Sequence, residues 1–169
     1  MGPLFDPALL DAIEGAIERF DRIAWRQVIV GTDPLRTNVM GGRWNPRGVE
    51  ALYCSLTSRG AQIELQALLD RQSVAIRRAP VAHRLSVVLS RVARVSESAA
   101  FAAAGVDRDA VLGPDWTLPQ TIGAAAEWLG LAGLLVPSAR HDDGNLVILS
   151  GELGPADHCQ LAPEARDLR

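Results

Sequence analysis

Apolar and polar positions along the chain follow two periods, and the switches between them mark out its elements. Leu9, Leu10, Ile13, Ile17 and Phe20 recur at helical spacing behind Asp6-Pro7. The pattern predicts a helix from Pro7 to about Asp21, with Asp6 as N-cap and Pro7 at the first helical position. Ile23 to Val30 is apolar and β-branched apart from Arg26 and Gln27, and reads as a strand. Residues 31–42 collect Gly, Asp, Pro, Thr and Asn and end in Gly41-Gly42, so a loop is expected. Arg43–Asn45 is expected to be extended because Pro46 follows. Ala51–Ser55 reads as a short strand, and Thr57 or Ser58 as the cap of a helix running to about Arg71.

The second half continues in the same way. Residues 81–95 alternate as one or two strands. Ser96–Ala104 is an Ala-rich helix closed by Gly105, and 106–117 is mostly loop with a break at Gly113-Pro114. Thr121–Leu129 is a helix ended by Gly130. Leu134–Val136 and Asn145–Ser150 are strands separated by the turn His141-Asp142-Asp143-Gly144. The last ten residues, charged and Pro-containing, read as a partly ordered tail. Strands and helices mixed along 169 residues without a linker or repeat imply one α+β or mixed α/β domain.

Composition narrows the function. With 48% hydrophobic residues the chain can bury a sizeable core. A net charge of −3 argues against a general nucleic-acid binder, which carries a basic face. All 17 basic residues are Arg, which we read as genome base composition rather than selection for phosphate. Cys54 and Cys159 form no CxxC pair and are expected to be reduced thiols. The acidic N-terminal stretch is not expected to be a signal peptide, and no apolar run reaches the ~20 residues that span a bilayer. A soluble cytoplasmic protein is expected, with no membrane partner and no direct contact with nucleic acid.

Four positions carry candidate chemistry. Glu64 has Gly60, Ala61, Leu65, Ala67 and Leu68 as its helical neighbours, so a carboxylate is set into the face that packs inward. A buried acid needs a partner, either a structural Arg or a substrate. Gly41-Gly42-Arg43-Trp44-Asn45 combines backbone freedom, a guanidinium fork suited to phosphate, a flat apolar ring and an amide; a turn into a strand with Trp44 in the core is the alternative. Arg26 is a charge inside a short apolar strand and calls for a carboxylate or an anion. Tyr53, the only tyrosine, is either core or a stacking surface. No GxGxxG follows a strand and no P-loop occurs. His83, His141 and His158 lack metal-ligand spacing, so no metal is expected.

In order along the chain, these pieces resemble a RES domain. They are Trp25-Arg26, then GGRWN with Pro46 and Gly48, then Ala51-Leu52-Tyr53-Cys54-Ser55, then Glu64 on the next helix. Downstream come Gly113-Pro114-Asp115-Trp116, Gln120-Thr121-Ile122-Gly123, Val136-Pro137-Ser138-Ala139 and Asn145-Leu146-Val147-Ile148. The segment 65–112 matches only loosely. On this resemblance residues 1–22 are an N-terminal helix, 23–155 the RES domain and 156–169 a C-terminal tail.

The resemblance implies a single α+β domain with a split mixed sheet, like the ADP-ribosyltransferases of the diphtheria-toxin type. It also implies a toxin of a bacterial toxin–antitoxin pair that takes NAD as substrate and cleaves its nicotinamide–ribose bond by hydrolysis or phosphorolysis. NAD would be depleted and growth arrested. The implied partner is an Xre-type helix-turn-helix antitoxin. Among site residues, Arg26 and Arg43 are then assigned to the pyrophosphate and Tyr53 to nicotinamide stacking. Glu64 is assigned to the ribose and the developing oxocarbenium ion, and Ser138 to holding nicotinamide or orienting Glu64. Trp44 and Asn45 are further ligand-facing candidates. Two alternatives stand beside this. A mono-ADP-ribosyltransferase would use the same pocket; such enzymes often carry a second Glu two residues before the catalytic one, where this chain has Gln62. A non-catalytic domain binding ADP-ribose or a partner would leave Glu64 exposed and the two arginines pointing apart.

Overall fold

The computed structural model describes residues 4–72 and 78–163, with only the backbone of Gln72. The first helix, α1, spans Pro7–Gly15; Asp6 caps it by accepting from the Ala8 amide at 2.9 Å. The helical pattern that predicted continuation to Asp21 is overridden at Gly15. The chain turns there into a long strand, β1 (Ile17–Ile29), whose partner is β3 (Pro80–Arg94). Pairing runs from Ile17↔Ala93 to Ile29↔Pro80 with one irregularity between Glu18 and Phe20. Ile17 and Phe20 satisfy a helical and a strand register equally well, and the long-range ladder decides between them.

The remaining strands are β2 (Ala51–Ser55), β4 (Gly133–Val136), β5 (Asn145–Leu149) and β6 (His158–Leu161). The sheet order is β1-β2-β5-β4-β3-β6, and the β1–β3 pairing closes it. Only β3–β4 is parallel. The resemblance implied a split sheet; the strands instead form one mixed sheet that curls shut. Two long strands paired over most of their length carry enough twist to bring the edges together. The seam is thinnest between β1 and β2, where a single pair, Trp25↔Ser55, is in register.

Closure creates two apolar layers. Phe20, Ala24, Leu52, Cys54, Leu85, Leu135 and Ile148 come from strands alone and fill the inside. Ala51, Val147 and Leu149 point the other way and pack against Ile13, Phe101 and Ile122 of the helices. Those helices are α1, α3 (Ala99–Ala103), α4 (Arg108–Leu112) and α5 (Thr117–Trp128), while α2 (Ser58–Gln72) lies against β1 and β2.

Further positions differ from the sequence reading: α3 begins at Ala99 rather than Ser96, and Arg43-Trp44, expected to be extended, form a turn closed by the Gly42↔Asn45 bridge. The stretch 106–117 holds α4, because Asp107 caps it by accepting from the Ala110 amide at 2.8 Å. α5 begins at Thr117 rather than Thr121; Pro119 falls in the first turn, where its missing N–H is no loss. The expected tail contributes β6, which pairs with the part of β3 that the short β4 leaves open; residues 164–169 of that tail lie outside the described ones. Among the described residues no helix is long and apolar enough to cross a membrane.

Candidate active site

Glu64 sits in the middle of α2, and its carboxylate meets the ends of β2, β4 and β5. Its Oε1 accepts from the Ser138 hydroxyl at 2.6 Å and from the Asn145 side-chain amide at 2.9 Å. His141 Nε2 stands 3.4 Å from the same oxygen, and Arg140 Nε is 4.0 Å from Oε2. One oxygen is therefore saturated. The other has no hydrogen bond among the described residues, and the side chain is 34% exposed. The carboxylate is immobilised through one atom and offered through the other.

The partners are held in turn. Ser138 follows β4 directly after Pro137, is 3% exposed, and accepts the Arg140 amide at 3.0 Å. Asn145 opens β5, in register with Ser55 at the end of β2. The Ser55 hydroxyl donates to Asn145 Oδ1 at 3.1 Å, which turns the amide nitrogen toward Glu64. The turn carrying Arg140 and His141 is pinned to the start of α2, where Thr57 donates to Asp143 at 2.7 Å and accepts the Gly60 amide at 2.9 Å. A Cβ on Gly60 would lie 2.7 Å from the His141 ring, so helix and turn meet only because that position is glycine.

Arg43 belongs to the same side of the molecule. Its Nη1 donates to the carbonyls of Val111 (3.1 Å) and Gly113 (2.7 Å), and the guanidinium stands 5.5 Å from the Trp116 ring centre. Its pKa is lowered first by burial and then by the nearby charges of Arg140 and Arg71, with Glu64 and Tyr53 acting in the opposite sense. Arg71, two turns beyond Glu64 on α2, thus joins Arg43 and Arg140 in a positive zone around the carboxylate.

The other sequence candidates take different positions. Trp44 is 3% exposed and lies in the core, and Asn45 is fully buried. The Asn45 amide donates to the carbonyls of Asn38 and Val49 at 3.1 and 2.7 Å. The Tyr53 hydroxyl donates to Asn45 Oδ1 at 2.7 Å and accepts the Trp44 amide at 2.9 Å; burial pushes it up to about 12. Trp44 is therefore placed in the core, and the Asn45 side chain is committed to the loop and to Tyr53. Arg26 stands apart from the Glu64 group. It shares the inner side of β2 with Cys54, whereas the Tyr53 ring packs on the outer layer. Its Nη1 donates to the Tyr53 carbonyl at 2.7 Å and Nη2 to the Arg36 carbonyl at 3.4 Å, while Nε is buried without a partner. A charge inside the strand does need an anion-like partner, and backbone carbonyls supply most of it.

The sequence reading assigned no site role to Asn145, Arg140, His141, Arg71 or Ser55, although Asn145 and Ser55 stand in the motifs that carry the resemblance. His141 was read as turn chemistry, and it is in that turn, but its ring is packed against Glu64. Among the described residues no group of His, Cys, Asp or Glu could hold a metal ion.

A closed mixed sheet with helices on its outer face, and a helix glutamate tied to a serine after a central strand, define an α+β domain built around a fixed carboxylate. The RES domain family model matches residues 19–168, and the chain belongs to that family. It is 30% identical over 104 residues to proteins named NAD(+) phosphorylase MbcT from Mycobacterium bovis and Mycobacterium tuberculosis; the match covers 59% of this chain and 56% of those relatives. The matched stretch thus spans little more than half the length of these curated relatives. The fold is that of a chain in the crystal structure of the M. tuberculosis MbcT–MbcA toxin–antitoxin complex, with a TM-score of 0.78 and 24% identity over 94% of this chain and 91% of that one.

Proposed function

We propose that this protein cleaves NAD at the nicotinamide–ribose bond, with phosphate as acceptor, as the toxin of a toxin–antitoxin pair. The observation that carries the reading is Glu64, bonded through Oε1 by Ser138 and Asn145 and, among the described residues, without a hydrogen bond at Oε2. Membership of the RES family and the NAD(+) phosphorylase name of its relatives supply the substrate class. In this reading Arg43, with Arg71 near it, holds the pyrophosphate, and the Tyr53 ring lies under nicotinamide. Nicotinamide leaves as a neutral molecule with the electron pair of the broken C–N bond, so it needs little acid assistance. Positive charge builds on the ribose instead, and Glu64 Oε2 stabilises it where it develops. Ser138 acts by fixing Glu64. Arg26 contributes by holding β2 and the 31–42 loop in place.

On this reading the closed sheet is a variant of the ADP-ribosyltransferase type of fold. NAD depletion in the cytoplasm arrests growth, and an Xre-type helix-turn-helix antitoxin blocks the cleft. Purified protein incubated with NAD, with and without phosphate, and resolved by chromatography tests it. Free nicotinamide and a phosphorylated ADP-ribose are expected with phosphate. Intact NAD under both conditions would refute the reading. ADP-ribose covalently attached to protein would transfer it to the mono-ADP-ribosyltransferase alternative.

A further inference from the structure

The fixed carboxylate accounts for the ribose side of the proposed reaction and leaves the place of the attacking group open. A cavity of about 440 Å³ lies beside it, between the first turn of α2 and the turn after β4. We propose that this cavity is the binding site for inorganic phosphate as second substrate, held by Arg59, Arg140 and His141. The inference rests on the NAD-cleavage reading for its chemistry but not for its geometry.

Three observations point to an anion there. Arg59, Arg108 and Arg140 all line the cavity, and among the described residues none has a carboxylate closer than the 4.0 Å that separates Arg140 from Glu64. The His141 side chain, also in the lining, is 4% exposed; its Nε2 stands 3.4 Å from Glu64 Oε1, and among the described residues neither ring nitrogen makes a hydrogen bond. A buried imidazole left unpaired is costly, and a phosphate oxygen arriving from the cavity would supply its acceptor. The cavity also borders the N-terminal turn of α2, a helix of 15 residues, whose dipole favours an anion. Two carboxylates line it as well. Both Asp142 and Asp143 are exposed, and three guanidinium groups against two carboxylates leave the lining net positive.

The placement also fits the charge problem of the reaction. Phosphate and Glu64 repel one another, and Arg140 and His141 stand between the cavity and the carboxylate, at 4.0 and 3.4 Å from its oxygens. In the reaction a phosphate oxygen forms a bond to C1 of the ribose as the C1–nitrogen bond breaks. The bonding pair neutralises the pyridinium nitrogen, and the proton of hydrogen phosphate is lost to solvent. No electrons are exchanged with any other reagent.

A second anion could use the same chemistry, namely the pyrophosphate of NAD, and kinetics separate the two. Nicotinamide release is measured against phosphate and against NAD for the wild type, Arg59→Gln and Arg59→Lys. Losing one charge-assisted contact is expected to raise the phosphate KM about 10–100-fold in Arg59→Gln, and less in Arg59→Lys, with the NAD KM within about twofold. Phosphate-31 line broadening of inorganic phosphate, measured without NAD, is expected with the wild type and lost in Arg59→Gln. Thermal melts confirm that each variant is folded. An unchanged phosphate KM, or a raised NAD KM in its place, would overturn the assignment. If the wild type leaves NAD intact, the proposed function fails, and the broadening measurement still decides the phosphate site.

Discussion

Replacing Glu64 with Gln separates the charge of this carboxylate from its structural bonds. The two hydrogen bonds that fix the side chain, from Ser138 and Asn145, both end on Oε1. A Gln carbonyl oxygen can accept both. Its amide nitrogen then takes the place of Oε2, where Arg140 Nε stands at 4.0 Å. Attraction there becomes a mild donor–donor conflict on a side chain that is 34% exposed. Because no cavity opens and Gln keeps its helix propensity, the loss of stability is expected to stay within about 1 kcal/mol. The rate is another matter. In the proposed mechanism the lost charge matters most as positive charge develops on the ribose, so the penalty is expected to fall on the transition state, where removal of one such electrostatic contact costs about 10²–10³ in rate. NAD affinity is expected to hold or rise slightly, since a negative charge near the pyrophosphate has gone. Denaturant melts, equilibrium NAD binding and single-turnover nicotinamide release measure the three quantities separately. Near-normal turnover in a folded Glu64→Gln protein would show that Glu64 is a structural residue and would remove the centre of the mechanism.

Arg43→Ala is expected to weaken NAD binding by about tenfold or more and to lower the melting temperature as well, because the carbonyls of Val111 and Gly113 lose their donor; calorimetric titration and a thermal melt check both. Gly123→Ala puts a Cβ 1.8 Å from the Trp44 carbonyl oxygen, a backbone atom that cannot rotate away. A cost of about 3 kcal/mol or more, a fall of roughly 6–12 °C in a thermal melt, is expected despite the gain in helix propensity. Stability is also expected to fall steeply at alkaline pH. Burial pushes Cys54 from 9.0 up to about 12, Cys159 from 9.0 up to about 11 and Tyr53 from 10.0 up to about 12. Each folded value is raised, so the contribution is complete below about pH 9 and is lost as the unfolded chain ionises between pH 9 and 12. Urea midpoints across that range check it, and Cys54→Ala is expected to flatten the descent.

Much of the fold was legible because several elements carry their own punctuation. Asp6-Pro7 opens α1, Thr57 caps α2, and the short strands β2, β4 and β5 are apolar runs between turn residues. What escaped was decided by pairing. Ile17 and Phe20 fit two periods, and nothing local says that a strand 15 residues long will pair along them. β6 carries no apolar signature, because it is an exposed edge strand recruited by backbone groups that β4 leaves unpaired. Closure of the sheet likewise depends on the relative lengths of β1, β3 and β4, which composition does not display.

The site divides along a different line. A side chain that violates its surroundings is visible from sequence, and Glu64 on an apolar helix face and Arg26 in an apolar strand were both found that way. What resolves the violation is not visible. Ser138 and Asn145 lie 74 and 81 positions from Glu64, and Arg26 is satisfied by carbonyls that every residue possesses. The glycine loop shows the converse. GGRWN reads as a ligand loop, yet most of its bonding capacity is spent on the fold. Gly42 accepts from Gln120 at 2.9 Å, and a Cβ there would stand 2.7 Å from the Tyr53 hydroxyl. Asn45 is committed to Asn38, Val49 and Tyr53, and the Trp44 carbonyl presses on Gly123. A dense motif marks a backbone that is hard to hold, and the polar groups of Gly42 and Asn45 are spent on holding it. The groups with unspent capacity are the ones to follow. They are the outer oxygen of Glu64, the guanidinium nitrogens of Arg43 beyond Nη1, and the ring of His141, whose two buried nitrogens make no hydrogen bond among the described residues. The chemistry of this domain is therefore to be sought along the line from Arg43 through Glu64 to His141, with the rest of GGRWN as its support.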